Sequence, residues 1–202
     1  MTCLTLDTPH GPARAELHSA EEGSAALLLG HGAGGGIDAP DLVAVTRAAT
    51  AAGVHVALIQ QPYRVAGRRA PAPAKHLDTA WLAVADALAE HFGDLPLLFG
   101  GRSSGARVAC RTAADGGAAA VLCLAFPVHP PGKPEKSRMD ELNAVKVPLL
   151  VVQGRTDAFG QPDPAPHHEV VSVAGDHSLK ADTPAVARAV GEWLTRVVRP
   201  LN

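Results

Sequence analysis

At 202 residues the chain can bury one sizeable core but not a second autonomous one. A formal charge of -2 with a pI near 6.5 excludes a general nucleic-acid surface, which needs clustered excess positive charge. Aromatic residues make up only 3%, so the core must be built mainly from Ala, Val and Leu, and no apolar run approaches the roughly 20 residues that span a bilayer.

The segment Met1 to Asp7 lacks the basic start and long apolar stretch of a secretory signal, so a cytoplasmic protein with no membrane partner is expected. Cys3, Cys110 and Cys123 are widely spaced, odd in number and without metal-ligand spacing; free buried thiols are the simplest expectation. Residues 2–6 and 13–18 are short and partly alternating, and are expected to form an antiparallel pair. Ala25–Gly30 reads as a buried strand ending in glycine, Asp38–Ala52 as a helix with Pro40 near its start, and Val54–Ile59 as a β-branched strand. Tyr63–Ala74, with its arginines and prolines, reads as a loop. Residues 75–92 carry Leu77, Trp81, Val84, Ala85, Leu88 and Phe92 at three- and four-residue steps, which predicts a helix with one apolar face.

Leu95–Gly100 is the next expected strand, followed by a turn over Gly101–Gly105 and a helix over Ala106–Ala114. Ala119–Phe126, Val147–Gln153 and Glu169–Val173 read as further strands, with a polar loop over Pro127–Arg138. The last helix is expected to begin near Thr183-Pro184, with Thr183 as its cap. Apolar runs alternating with helical patterns imply an α/β fold, a mostly parallel sheet with helices on both faces, in one domain over residues 1–202. The Pro-rich pieces 127–134 and 160–166 are too short for linkers and read as internal loops.

Gly101-Arg102-Ser103-Ser104-Gly105 matches G-x-S-x-G between a strand and a helix, the context a nucleophile elbow requires. A sharp turn would lift the Ser103 side chain above the sheet, and a Cβ two positions to either side would crowd the neighbouring elements. Ser104 competes, but the two glycines centre the motif on Ser103. Gly30-His31-Gly32-Ala33-Gly34-Gly35-Gly36 follows the first buried strand and can supply a second amide. The backbone N–H groups of Ala33 and Ser104 are the expected oxyanion donors. A phosphate-binding loop is the alternative: the P-loop ending is absent, but Gly30, Gly32, Gly34, Gly35 and Gly36 echo the G-x-G-x-x-G of a dinucleotide fold. His31 is expected to fix this loop. Together with Arg64, Arg102 and His129 it is also a candidate substrate contact.

An acid and a base must follow the serine in chain order. Asp157 comes just after the strand ending at Gln153, and His177 just after the strand ending at Val173, which puts both at the sheet edge that carries Ser103. Ten histidines make any single one uninformative by itself. His129 precedes the acid and His167-His168 precede a strand, so they are weaker bases; Asp163 and Asp176 remain alternatives for the acid. No metal site is expected, since no His/Asp/Glu pair has ligand spacing.

These motifs, Gly30-His31-Gly32-Ala33-Gly34, Gly101-Arg102-Ser103-Ser104-Gly105, Gly154-Arg155-Thr156-Asp157 and Gly175-Asp176-His177, resemble the α/β-hydrolase superfamily over residues 25–198. The chain is similar to the small lidless group related to dienelactone hydrolases. Gly100-Gly101-Arg102-Ser103 and His129-Pro130-Pro131-Gly132-Lys133-Pro134 resemble the branch that includes testis-expressed protein 30 and subunit three of the NSL chromatin complex. The resemblance implies an esterase-like fold with the triad Ser103, Asp157 and His177. The short stretch from the elbow strand to Asp157 leaves no room for a cap domain, and 158–168 is too short and Pro-rich for the helix that usually precedes the last strand.

The expected activity is hydrolysis of an ester or related acyl bond through an acyl-enzyme, with no cofactor. The expected partner is a small-molecule ester or acyl substrate, and the expected assembly a monomer or homodimer. A non-catalytic binding or scaffold protein on the same fold is the alternative. Arg64, Arg68 and Arg69 after one strand, with Lys133, Lys136 and Arg138 after another, predict some preference for anionic substrates.

Overall fold

A computed structural model describes residues 2–199; Met1 and residues 200–202 lie outside it. Its centre is an eight-stranded sheet of order β1-β2-β4-β3-β5-β6-β7-β8. β1 (Thr2–Leu6) and β2 (Ala13–His18) are antiparallel to each other, and β2 is antiparallel to β4 (Val54–Gln60). From β4 onward, β3 (Ala25–Gly30), β5 (Leu97–Arg102), β6 (Ala120–Leu124), β7 (Leu149–Gly154) and β8 (His168–Val173) run parallel. The central strands are apolar at nearly every position because helices cover both faces.

Alternate residues feed two cores. Leu28, Phe99 and Val121 face α3 (Ala74–Phe92) and α4 (Ser104–Thr112), against Trp81, Leu88 and Val108. Leu27, Leu29, Leu122 and Val152 face α1 (Pro40–Ala51) and α6 (Thr183–Val198), against Leu42, Val45, Val190 and Trp193. This is the expected α/β layering. Among the described residues no helix is long and apolar enough to cross a membrane.

Several local expectations need correction. The stretch read as a loop from Tyr63 begins with a short helix, α2 (Pro62–Val65), started by Pro62 at its first turn. A second short helix, α5 (Met139–Asn143), had not been anticipated; it is held from outside by Glu141, which accepts from Arg107 at 2.9 and 2.6 Å. β5 runs on to Arg102 and α4 begins at Ser104, so the turn between them is a single residue. β6 stops at Leu124, because Ala125 takes a φ of 48°. Thr183 is the first helical residue of α6; the cap is Asp182, whose carboxylate accepts from the Ala185 amide at 3.0 Å. Cys110 and Cys123 are buried free thiols as expected, but Cys3 is exposed.

Candidate active site

Everything that positions the site sits where parallel strands end. β5 delivers Ser103 at φ 53° and ψ -109°, a conformation unfavourable for a residue with a Cβ. Neighbours hold it there: the Ser103 amide donates to the Leu124 carbonyl at 2.9 Å, and its carbonyl accepts from the Arg107 amide at 3.2 Å. The flanking glycines are needed for space. A Cβ at Gly101 would collide with the backbone of Gly105, and one at Gly105 would lie 2.6 Å from the Gly30 carbonyl oxygen. Gly-to-Ala changes inside a helix normally stabilise it, by about 1 kcal/mol. Here overpacking against backbone dominates, and Gly105→Ala is expected to destabilise the fold by about 1–3 kcal/mol, read as a lower urea midpoint. An unchanged or raised midpoint would contradict this account of the elbow.

The three sequence-predicted groups converge. The Ser103 hydroxyl donates to His177 Nε2 at 2.9 Å, and His177 Nδ1–H donates to Asp157 Oδ2 at 2.8 Å. The assignment follows from the carboxylate, which can only accept: it takes the Nδ1 proton, leaving Nε2 as the acceptor facing the hydroxyl. The Asp157 side chain is fully buried and that of His177 is 20% exposed, so the imidazole has a dry side and an open side. Two loops are pinned to bring them together. Arg155 donates to the Val173 carbonyl at 2.9 Å, and the Thr156 amide to the Gly175 carbonyl at 3.0 Å. Any side chain at Gly154 would collide with the Asp176 carbonyl, so the acid and base loops can touch only because a glycine stands there.

Two supporting residues escaped the sequence reading. Gln153, fully buried at the end of β7, donates through Nε2 to Asp157 Oδ2 at 2.9 Å and to the Phe126 and Gly160 carbonyls at 3.0 and 2.9 Å. Its signal was present: a lone amide closing an otherwise apolar buried strand. Phe159 donates its amide to Asp157 Oδ1 at 2.8 Å, and its ring stacks on the His177 imidazole with centroids 4.0 Å apart. Nothing in the local sequence marks Phe159.

The oxyanion candidates have a clear local cause. The Ser104 amide is the first of α4, where helical N–H groups lack intrahelical acceptors. For Ala33 the key is the preceding carbonyl. Gly32 O accepts from His31 Nδ1–H at 2.8 Å and from the Gly35 amide at 3.2 Å. In a planar trans peptide the Ala33 N–H must then point the opposite way. The next carbonyl, Ala33 O, accepts from the Tyr63 hydroxyl at 2.8 Å.

His31 therefore has no free nitrogen for substrate: Nε2 accepts from the Gln61 amide at 3.1 Å. Burial lowers its pKa, opposed by the bond to Gly32, with Arg64 also lowering it. The unfolded chain takes up this proton below about pH 6.5 and the folded one resists, so stability is lost as pH falls below that value. Long-range 1H–15N spectra should show His31 as the neutral Nδ1–H form at pH 6.5; a half-charged ring there would contradict the assignment.

The other expected substrate contacts fare differently. Arg102 is turned inward, onto Asp41 and the His177 carbonyl, and is not offered to a ligand. His129 leans on the acid loop: its Nδ1 bonds the Pro130 carbonyl at 2.9 Å and its amide donates to the Phe159 carbonyl. Arg64 sends Nη1 back to the Arg68 carbonyl at 3.3 Å. Among the described residues none of Arg64, Arg68, Arg69, Lys133, Lys136 and Arg138 is in an ion pair. Two of the alternatives, Asp176 and His168, are occupied elsewhere. The Asp176 carboxylate accepts from the Ser178 amide and hydroxyl at 2.9 and 2.6 Å, which lowers its pKa. His168 Nε2 bonds the Asp163 carbonyl at 2.7 Å. Among the described residues no group of three or more His, Cys, Asp or Glu side chains converges as a metal site.

Comparison with known proteins establishes the family and the fold. The family model of the alpha/beta hydrolase domain matches residues 23–189, and the chain belongs to that family. Among solved structures it resembles Est1E from Butyrivibrio proteoclasticus, at 17% identity and a TM-score of 0.81, over 98% of this chain and all of that one. It also resembles a serine hydrolase without a lid from Xanthomonas campestris, at 21% identity and a TM-score of 0.76, over 96% and 94% of the two chains. A dienelactone hydrolase from Anabaena variabilis is similar at 19% identity and a TM-score of 0.76, over 97% of each chain. At these identities the likeness establishes the fold. No curated protein matches the sequence significantly.

Proposed function

We propose that the protein is a serine hydrolase that cleaves a small ester or related acyl bond. The observation that carries the reading is the unbroken line Ser103 Oγ, His177 Nε2, His177 Nδ1, Asp157 Oδ2, with links of 2.9 and 2.8 Å. His177 removes the hydroxyl proton as Ser103 Oγ attacks the carbonyl carbon, and Asp157 stabilises the imidazolium. The oxyanion is held by the amides of Ala33 and Ser104, each of which can contribute about 3–4 kcal/mol. His177 returns the proton to the leaving group, water repeats the attack on the acyl-enzyme, and Ser103 is regenerated. The chain's own residues complete this cycle, so no cofactor enters.

In this reading residues 1–202 act as one lidless domain, cytoplasmic, as monomer or homodimer, and the unpaired rim cations favour an anionic substrate. The dienelactone-hydrolase-like character has support in a neighbour of that name. The closer likeness to the testis-expressed protein 30 branch rests on the sequence motifs alone. Turnover of p-nitrophenyl acetate by the wild type and its loss in His177→Ala test the proposal; a wild-type rate equal to that of the variant would favour the scaffold alternative.

A further inference from the structure

The residue before the serine occupies a variable position of its motif, yet its side chain reaches the base loop, the glycine loop and a buried carboxylate. Arg102 Nε lies 2.9 Å from Asp41 Oδ2 at the start of α1. Its Nη2 donates to the His177 carbonyl at 3.0 Å. Its Nη1 rests against Gly32 so closely that a Cβ on that glycine would come within 2.9 Å of it. One planar guanidinium thus meets the loop of the base, the peptide run of the oxyanion donors and a carboxylate with no exposed surface, while its own backbone leads straight into Ser103. The Arg102 side chain is only 17% exposed.

We propose that Arg102 is a positioning residue, with Asp41 as its buried anchor, that sets the His177 main chain and the Gly32–Ala33 peptides in register with Ser103. The inference rests on the serine-hydrolase reading of the site. Asp41 supplies the direction. A carboxylate buried in this way raises its own pKa through desolvation, and the arginine opposes the rise. It therefore holds the guanidinium in one place, since any excursion leaves a buried charge unpaired. Arginine suits the task because one planar group reaches three neighbours at once, pairing in charge with Asp41 and donating to the His177 carbonyl; an ammonium supplies one point charge on a flexible stem.

Three variants separate positioning from mere stability. Arg102→Met alone strands the Asp41 charge and is expected to lower the urea midpoint. The double variant Asp41→Leu with Arg102→Met removes the buried pair together, a change that is often neutral or stabilising, and is expected to fold with a midpoint at or above that of the wild type. Arg102→Lys keeps a counter-charge for Asp41 but loses the fork. The expected result for the double and Lys variants is a kcat about 100-fold lower with KM within about twofold, the scale of loss that follows an ångström-sized displacement of a reacting group. The downfield proton resonance of His177 Nδ1–H should weaken or vanish in both. A double variant with wild-type kcat and an intact resonance would overturn the proposal while leaving the hydrolase reading standing. If the wild type turns over no ester, that reading fails, and the resonance alone decides whether Arg102 sets the imidazole.

Discussion

Ser103→Ala should lower ester turnover by about a millionfold, the scale seen when a hydrolase loses its nucleophile. The reason is local. Alanine retains a Cβ, so the backbone strain at φ 53° is unchanged and the contacts that hold the turn, from Leu124 and Arg107, involve main chain only. What disappears is the one atom that forms the acyl bond, along with its hydrogen bond to His177. The variant should therefore unfold at nearly the wild-type urea concentration. Residual activity reports the Ala33 and Ser104 amides acting on bound substrate without a nucleophile. Comparable turnover by Ser103→Ala and the wild type would assign the chemistry to another group.

The second large effect is expected at Asp157. Replacement by alanine removes the acceptor of three donors, His177 Nδ1–H, Gln153 Nε2 and the Phe159 amide, together with the charge that stabilises the imidazolium. A loss of about 10⁴-fold in kcat is expected from the removed charge and the freed tautomer. Because the carboxylate is wholly buried and satisfied by donors on both oxygens, its removal also leaves the Phe159 amide and His177 Nδ1–H without an acceptor, while Gln153 keeps the Phe126 and Gly160 carbonyls. The urea midpoint should fall too, by about 1–3 kcal/mol of stability per group stranded in this way. Steady-state kinetics and urea titrations on the same preparation check both. Retention of kcat within tenfold would remove Asp157 from the triad.

These residues could be read from the sequence because each stands immediately after a buried apolar run, and parallel strands deliver their C-terminal ends to one edge. The elbow glycines were legible for the same reason, as steric demands of a strand–turn–helix corner. Arg102 was misread as a substrate contact because periodicity says where a side chain starts and not where a long one ends. Asp41, in the first turn of α1, has the pattern of an ordinary solvated helix acid; its burial beside Arg102 at the end of β5 is a tertiary contact that no local pattern marks. Phe159 meets His177 across a loop whose path follows from tertiary contacts. The short helices α2 and α5 had weak local signals, and their anchors lie far off in the chain: the Tyr63 hydroxyl on Ala33 and Glu141 on Arg107. Asp182 displaced Thr183 as the helix cap by one residue, a boundary shift that sequence patterns rarely resolve.

The most direct measurement is mass spectrometry of the protein after exposure to a fluorophosphonate, followed by peptide mapping. A hydroxyl activated by His177 and aligned with the Ala33 and Ser104 amides should take up one phosphonyl group, on Ser103, and His177→Ala should suppress it. An unmodified wild-type protein, or an adduct on a different residue, would contradict the claim that this serine is a nucleophile.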